Sequence, residues 1–223
     1  MTDRRDRRAL LFGLSAVFFW STVATAFKLS LRELSVVQLL FVAVLTSSVV
    51  LTITLAVQRQ LGSCLQLLRQ RWWEFMLLGA INPAVYYLVL LSAYDRLPAQ
   101  QAQTINYTWA ITLALLSVPV LRQRLTGRDW LAVALGYFGA LVIATEGRPW
   151  SLEFTNGLGV GLAVASTLLW AGFWLYNARS THPPAQALTA GFLCALPLLT
   201  LLLWWEGAPW QSPGMGMGMG IRI

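Results

Sequence analysis

The sequence predicts an all-α polytopic membrane protein with about seven transmembrane helices, and three observations lead there. The 223 residues are 57% apolar and only 11% charged, where an ordinary soluble domain has about 45–50% and about 25%. The apolar residues fall into seven runs, each close to the about 20 residues that cross a roughly 30 Å hydrocarbon core. The basic residues cluster in the segments between the runs. So little charge excludes a disordered soluble chain, which needs low hydrophobicity and high charge. It also leaves too little polar surface to cover a soluble enzyme. Short alternating segments, the mark of a membrane β-barrel, are not seen in the sequence.

The runs are Ala9–Leu29, Ser35–Val57, Trp72–Tyr94, Ala99–Leu121, Asp129–Thr145, Leu158–Tyr176 and Ala187–Trp205. The first follows the basic segment 1–8 and is apolar all round, as lipid-embedded helices are. Arg4–Arg8, the apolar run and Ala24-Thr25-Ala26 also have the outline of a cleavable signal peptide, but a later twin of this run favours a retained helix. The second opens at Ser35. The third starts beside Trp72 and Trp73, ring types that favour the headgroup zone, and carries Asn82-Pro83 at its middle. Proline frees a carbonyl one turn earlier, so a kink is expected there. The fourth carries the polar stripe Gln100, Gln103, Thr104 and Tyr107 at helical spacing, which predicts a face toward a wet cavity or another helix. The fifth starts beside Trp130. The sixth opens on Gly157-Leu158-Gly159-Val160-Gly161, in which the Gly157/Gly161 pair predicts close helix packing. No Lys-Ser/Thr follows, so this is no phosphate loop. The seventh follows His182-Pro183-Pro184 and ends at Trp204-Trp205. Residues 207–223, with alternating Gly and Met, read as a flexible tail.

The net charge of +7 would suggest nucleic acid in a soluble protein. Here it is a topology signal, and no nucleic-acid partner is expected. Arg4, Arg5, Arg7, Arg8, Arg59, Arg69, Arg71, Arg122, Arg124, Arg128 and Arg179 fall on one side of the alternating spans; Lys28, Arg32, Arg96 and Arg148 fall on the other. The positive-inside rule then places the N-terminus in the cytoplasm and the C-terminus outside. Cys64, read as lying in a loop, and Cys194, inside an apolar run, form no disulfide or zinc framework. No cofactor or metal is expected, and no catalytic Ser/His, metal-ligand or carboxylate constellation is visible.

Shifted by 150 residues, the chain overlays itself. Ser15-Ala16-Val17-Phe18-Phe19-Trp20-Ser21 meets Ala165-Ser166-Thr167-Leu168-Leu169-Trp170-Ala171, and Ser35 meets Ala185. Spans six and seven thus read as a second copy of spans one and two. The repeating unit holds five spans. Five is odd, so the second copy is inverted in the membrane. Inverted repeats are a transporter architecture, with a substrate site at the repeat interface near the midplane.

Several stretches resemble the drug/metabolite transporter superfamily in its EamA-type branch. They are Phe18-Phe19-Trp20-Ser21, Ala93-Tyr94-Asp95-Arg96-Leu97-Pro98-Ala99, Asn106-Tyr107-Thr108-Trp109, and Ser117-Val118-Pro119-Val120 through Arg124-Leu125-Thr126 to Trp130–Gly139. The resemblance covers about residues 9–206. It implies a permease of small metabolites in a bacterial inner membrane, exporting amino acids or drugs by alternating access. It also implies ten helices in two five-helix repeats, so the chain reads as C-terminally truncated: segment 9–150 is one complete repeat and 151–206 the first two helices of the second. A homo-oligomer or a partner chain supplying the missing helices is the matching expectation. Gln123 stands where members usually carry Glu, and Ala110 where the Asn-Tyr-Leu-Trp subgroup has Pro. The candidate cavity residues are Trp20, Asn82, Tyr86, Gln103, Asn106, Tyr107, Trp109 and Trp170. Asn82 and Tyr86 are expected to share a helix face, and Trp20 and Trp170 to face each other across the pseudo-symmetry axis. The competing reading is a non-transporting membrane subunit or scaffold that needs a partner chain.

Overall fold

The computed structural model describes residues 2–151, 154 and 156–207. Among them there is no strand, and the helices assemble into seven candidate spans: Ala9–Ser30, Val36–Val57, Trp72–Arg96, Ala99–Leu121, Gly127–Ala144, Gly157–Arg179 and Pro184–Glu206. The all-α polytopic fold read from the apolar runs is therefore the observed one. Of the tail expected over 207–223, residues 208–223 lie outside the described residues.

Helix α1 (Thr2–Ser30) starts before the apolar run and takes in the basic segment. Helix α2 (Val36–Val57) begins on a capping box. Ser35 Oγ accepts from the Gln38 amide at 3.1 Å and Gln38 Oε1 accepts from the Ser35 amide at 3.0 Å, so two donors that the first turn leaves orphaned are satisfied. Helix α3 (Leu61–Gln70) corrects the sequence reading of a loop around Cys64. Leu61, Cys64, Leu65 and Leu68 follow the helical spacing of one apolar face, but ten residues are too short to span, so the segment passed for a connection. The Cys64 thiol is fully buried, and burial raises its pKa. It should therefore resist a membrane-impermeant maleimide in the folded protein and react on unfolding; fast labelling of Cys64 in the native protein would contradict this packing.

The third span is broken. Helix α4 (Trp72–Gly79) leads into a π-helical segment, Ala80–Val85, and then α5 (Tyr86–Arg96). Asn82 there has φ −142° and ψ 115°, extended rather than helical, as expected of a residue before proline. The break lets the two halves of one span serve different neighbours. The first half packs on the seventh span, and the second half on the sixth, second and first. The fourth span is α6 (Ala99–Tyr107) and α7 (Trp109–Leu121), joined at Thr108. The Thr108 hydroxyl donates to the Ile105 carbonyl at 2.7 Å, the local back-bonding that bends helices. Helix α8 (Gly127–Ala144) has its own capping box from Thr126 and Asp129. Helix α9 (Gly157–Arg179) starts with the Asn156 side chain accepting from the Gly159 amide, and α10 (Pro184–Glu206) starts with proline in its first turn, where the missing N–H costs nothing.

Short connections make successive spans antiparallel, and polar contacts gather at the two ends accordingly. At the Arg-poor end, Ser35 Oγ donates to Glu206 at 2.7 Å, Lys28 Nζ to the Asp95 carbonyl at 3.5 Å, and Gln101 Nε2 to Glu146 at 3.2 Å. At the Arg-rich end, the Arg179 guanidinium donates to the Val120 carbonyl, and Glu74, Tyr176 and His182 meet.

Span three runs through the interior. Its residues join all three buried clusters: with spans one, four, five and six through Tyr86, Leu90, Ala93 and Tyr94; with spans two and seven through Ala84 and Leu91; and with α2, α3 and α10 through Phe75. Lipid tails are as apolar as leucine, so helices in a bilayer associate by close packing of small residues. Ala93, Ala102, Ala163, Ala171, Ala190 and Ala195 are fully buried. Gly79 of α4 lies directly against Gly191 of α10. The sixth span differs from expectation here. A Cβ on Gly157 or Gly161 would meet nothing, whereas one on Gly159 would sit 2.8 Å from Leu97. The packing glycine is the one between the predicted pair, because the helix rotates that position toward the end of span three.

Candidate functional site

Spans three, four and six converge at mid-depth around a buried amide. Asn106 of α6 is 7% exposed. Its Nδ2 donates to Ser166 Oγ at 2.9 Å and to Tyr86 OH at 3.4 Å; Ser166 in turn donates to the Ala163 carbonyl at 2.6 Å. One asparagine thus ties three spans together, and an amide in an apolar interior keeps such partners because losing them costs the full desolvation penalty.

Aromatic rings are built onto this amide. Tyr86 stacks on Trp170 with centroids 4.5 Å apart and planes at 27°. Trp170 meets Trp109 edge-on at 6.4 Å, stacks with Phe173 at 5.9 Å and meets Trp174 edge-on at 6.2 Å. Trp109 and Trp174 stack at 6.4 Å and 16°. These separations and tilts are those at which ring quadrupoles attract. The cluster is sealed on the Tyr86, Asn106 and Ser166 side and open on the other, where Trp174 is 45% exposed. One turn further, Thr112 Oγ1 lies 2.8 Å from Tyr137 OH and 3.2 Å from Thr167 Oγ1, linking spans four, five and six.

Four of the residues singled out in the sequence, Tyr86, Asn106, Trp109 and Trp170, meet in this cluster. Gln103 and Tyr107 form their own pair, Nε2 donating to the hydroxyl at 2.8 Å, on a more exposed face of span four. The buried face of that span carries Gln101, Ala102, Ile105 and Asn106. The stripe residues are thus more exposed than Asn106, which lies off the stripe and is buried. Asn82 and Tyr86 do not share a face, because the extended backbone at Asn82 resets the helical phase between them. Asn82 is buried, and its Oδ1 has no hydrogen-bond partner among the described residues. Trp20 does not face Trp170. It is 59% exposed, and the rings around Trp170 come from spans three, four and six. The residues from Ala9 to Thr22 are all exposed, and span one is held only from Ala24 onward.

Sequence reasoning did not single out Ser166, Phe173, Trp174 and Tyr137. Ser166 and Trp174 lie four residues to either side of Trp170, on one helix face, so extending the Trp170 register would have found both. For Tyr137 no such local signal exists.

The cluster offers flat π faces, an amide and a phenol at one wall. Such a surface takes planar apolar or cationic groups and orients them by hydrogen bonds.

The EamA-like transporter family matches residues 7–145. The chain is 24% identical to the aromatic amino acid exporter YddG of Ancylobacter novellus over 225 aligned residues, which cover 95% of this chain and 75% of the exporter. No solved structure matches significantly.

Proposed function

The chain belongs to the EamA-like transporter family, and we propose that it exports amino acids with aromatic or large apolar side chains by alternating access. It is an integral membrane protein of the drug/metabolite transporter type. The substrate class is supported above all by the open ring cluster of Trp109, Trp170 and Trp174 against Tyr86 and Asn106. An aromatic side chain would lie on the indole faces, with its polar atoms toward the Asn106 and Tyr86 wall. The export activity of the similar protein agrees with this reading.

The structural frame of the proposal is the inverted repeat, 9–150 and 151–206. The two helices of the second copy are inserted among the first: α10 on α2, and α9 on α5, α6 and α7. Rocking of one copy against the other would then open the cluster to either side. The excess of arginine at one end supports a reading in which that end, and the N-terminus, face the cytoplasm across the plasma membrane.

Vesicles or cells carrying the chain should accumulate or lose labelled phenylalanine and tryptophan faster than controls with empty membranes. A folded chain that moves none of the aromatic or large apolar amino acids under either gradient would overturn the proposal. The exposed residues of span one, Leu10 to Trp20, favour a second reading, a membrane subunit completed by a partner chain. That reading requires a stable partner to co-purify from native membranes.

A further inference from the structure

Below the aromatic cluster, toward the Arg-rich end, a cavity of about 650 Å³ lies between the first half of span three and the last half of span six. This size falls within the range of small-ligand sites. Its floor is apolar, with Leu77, Leu78, Ile81, Leu168 and Leu169. Its mouth is not. Arg71 and Glu74 stand there as a charge pair, Nη1 to Oε2 at 3.7 Å, too far for a direct hydrogen bond. Glu74 is fixed by its other oxygen: the Tyr176 hydroxyl donates to Oε1, and His182 Nε2 lies 3.2 Å from it. Oε2 is left facing Arg71. The Glu74 side chain is 13% exposed, while that of Arg71 is 58% exposed and can swing.

We infer that this groove binds the α-carboxylate and α-ammonium of a free amino acid at Arg71 and Glu74, with the apolar side chain along the Leu77–Ile81 floor. The chemistry fits this occupant, and a zwitterionic phospholipid, which carries both charges, has two acyl chains too bulky for a groove of about 650 Å³. A guanidinium matches a carboxylate bidentately. A carboxylate oxygen turned toward the same gap matches an ammonium. A fatty acid or anionic lipid would satisfy only the first, and an amine only the second. An apolar groove with two opposite charges side by side at its mouth fits a zwitterion with an apolar body. Phe173 lines the groove and also stacks on Trp170, so the inner end of the groove abuts the aromatic cluster. The groove is the loading site from which a substrate side chain passes onto those rings. This last step rests on the transport reading; the binding itself does not.

The test uses the whole chain in nanodiscs of phosphatidylcholine, with labelled phenylalanine, phenylalaninamide, which lacks the carboxylate, and phenylpropionate, which lacks the amine. Arg71→Gln should weaken phenylalanine binding about tenfold, the scale of one charge-assisted contact, and leave phenylalaninamide unchanged. Glu74→Gln should weaken phenylalanine and phenylalaninamide but not phenylpropionate. Arg69→Gln, outside the groove, should change nothing. Equal losses for all three ligands, an unchanged affinity in Arg71→Gln, or no phenylalanine binding by the unmodified chain would each overturn the proposal. Because Arg71 is mostly exposed, its variant keeps the test valid where Glu74→Gln misfolds. If the expected ligand pattern appears in a chain that exports nothing, the groove stands and the transport reading fails. Export by a chain whose affinity ignores Arg71 gives the reverse.

Discussion

Gly79→Ala should destabilise the folded protein severely. The methyl group would be driven against the Gly191 carbonyl, with the Ala195 amide 3.0 Å away, and both are backbone atoms of α10. No side chain can rotate aside, so the third and seventh spans must separate. Overpacking of a tight core costs typically about 1–3 kcal/mol, and a backbone-to-backbone collision belongs at the upper end. For a chain of this size that is a fall of roughly 4–10 °C in the apparent melting temperature. Gly191→Ala is the control. Its methyl would come no nearer than 4.0 Å to the Gly79 amide, so no clash opposes it, and alanine's better helix propensity makes the change neutral to stabilising by up to about 1 kcal/mol. The measurement is the fraction of monodisperse protein in detergent after heating. Equal losses for the two glycines would mean that the close approach is not where the structure puts it.

Trp170→Ala should abolish substrate handling. Trp170 touches Tyr86, Trp109, Phe173 and Trp174, so its removal empties the middle of the cluster. Deleting a large aromatic from a packed interior costs about 3–5 kcal/mol, and part of that would appear as lost folded protein. Trp170→Phe separates the two effects. It keeps a ring face for Tyr86 and leaves a smaller gap, so it should fold and retain transport within a few-fold, while the alanine variant falls more than tenfold per folded molecule. Aromatic amino acids should suffer more than aliphatic ones, because a planar side chain loses its stacking partner. Equal transport by both variants, after correction for folded protein, would remove Trp170 from the substrate path.

The sequence was most informative where physics is local. Crossing a bilayer needs a fixed length of apolar chain with its backbone satisfied internally, so seven spans and their ends were legible to within a few residues. The proline kink at Asn82-Pro83 was legible for the same reason. The amphipathic helix around Cys64 was not, because a ten-residue helix at the interface has the length of a connection. Within the candidate site, residue types were legible but facings were not. A polar stripe on span four predicted a face toward a wet cavity or another helix, yet the buried polar residue in contact with spans three and six is Asn106 beside it. In a membrane, apolar residues point both to lipid and to protein, so periodicity no longer separates outside from inside as it does in water.

By itself, therefore, the sequence determined that the chain belongs in a bilayer and carries seven candidate spans among the described residues, with an expected direction for each, since hydropathy and charge act segment by segment. Only the tertiary structure decided which spans touch, that Gly79 and Gly159 rather than the Gly157/Gly161 pair make the close contacts, and that Tyr86, Asn106, Trp109 and Trp170 share one site while Trp20 and Asn82 lie elsewhere. These are consequences of helix rotation and of one backbone break, and neither leaves a trace in the average polarity of a span.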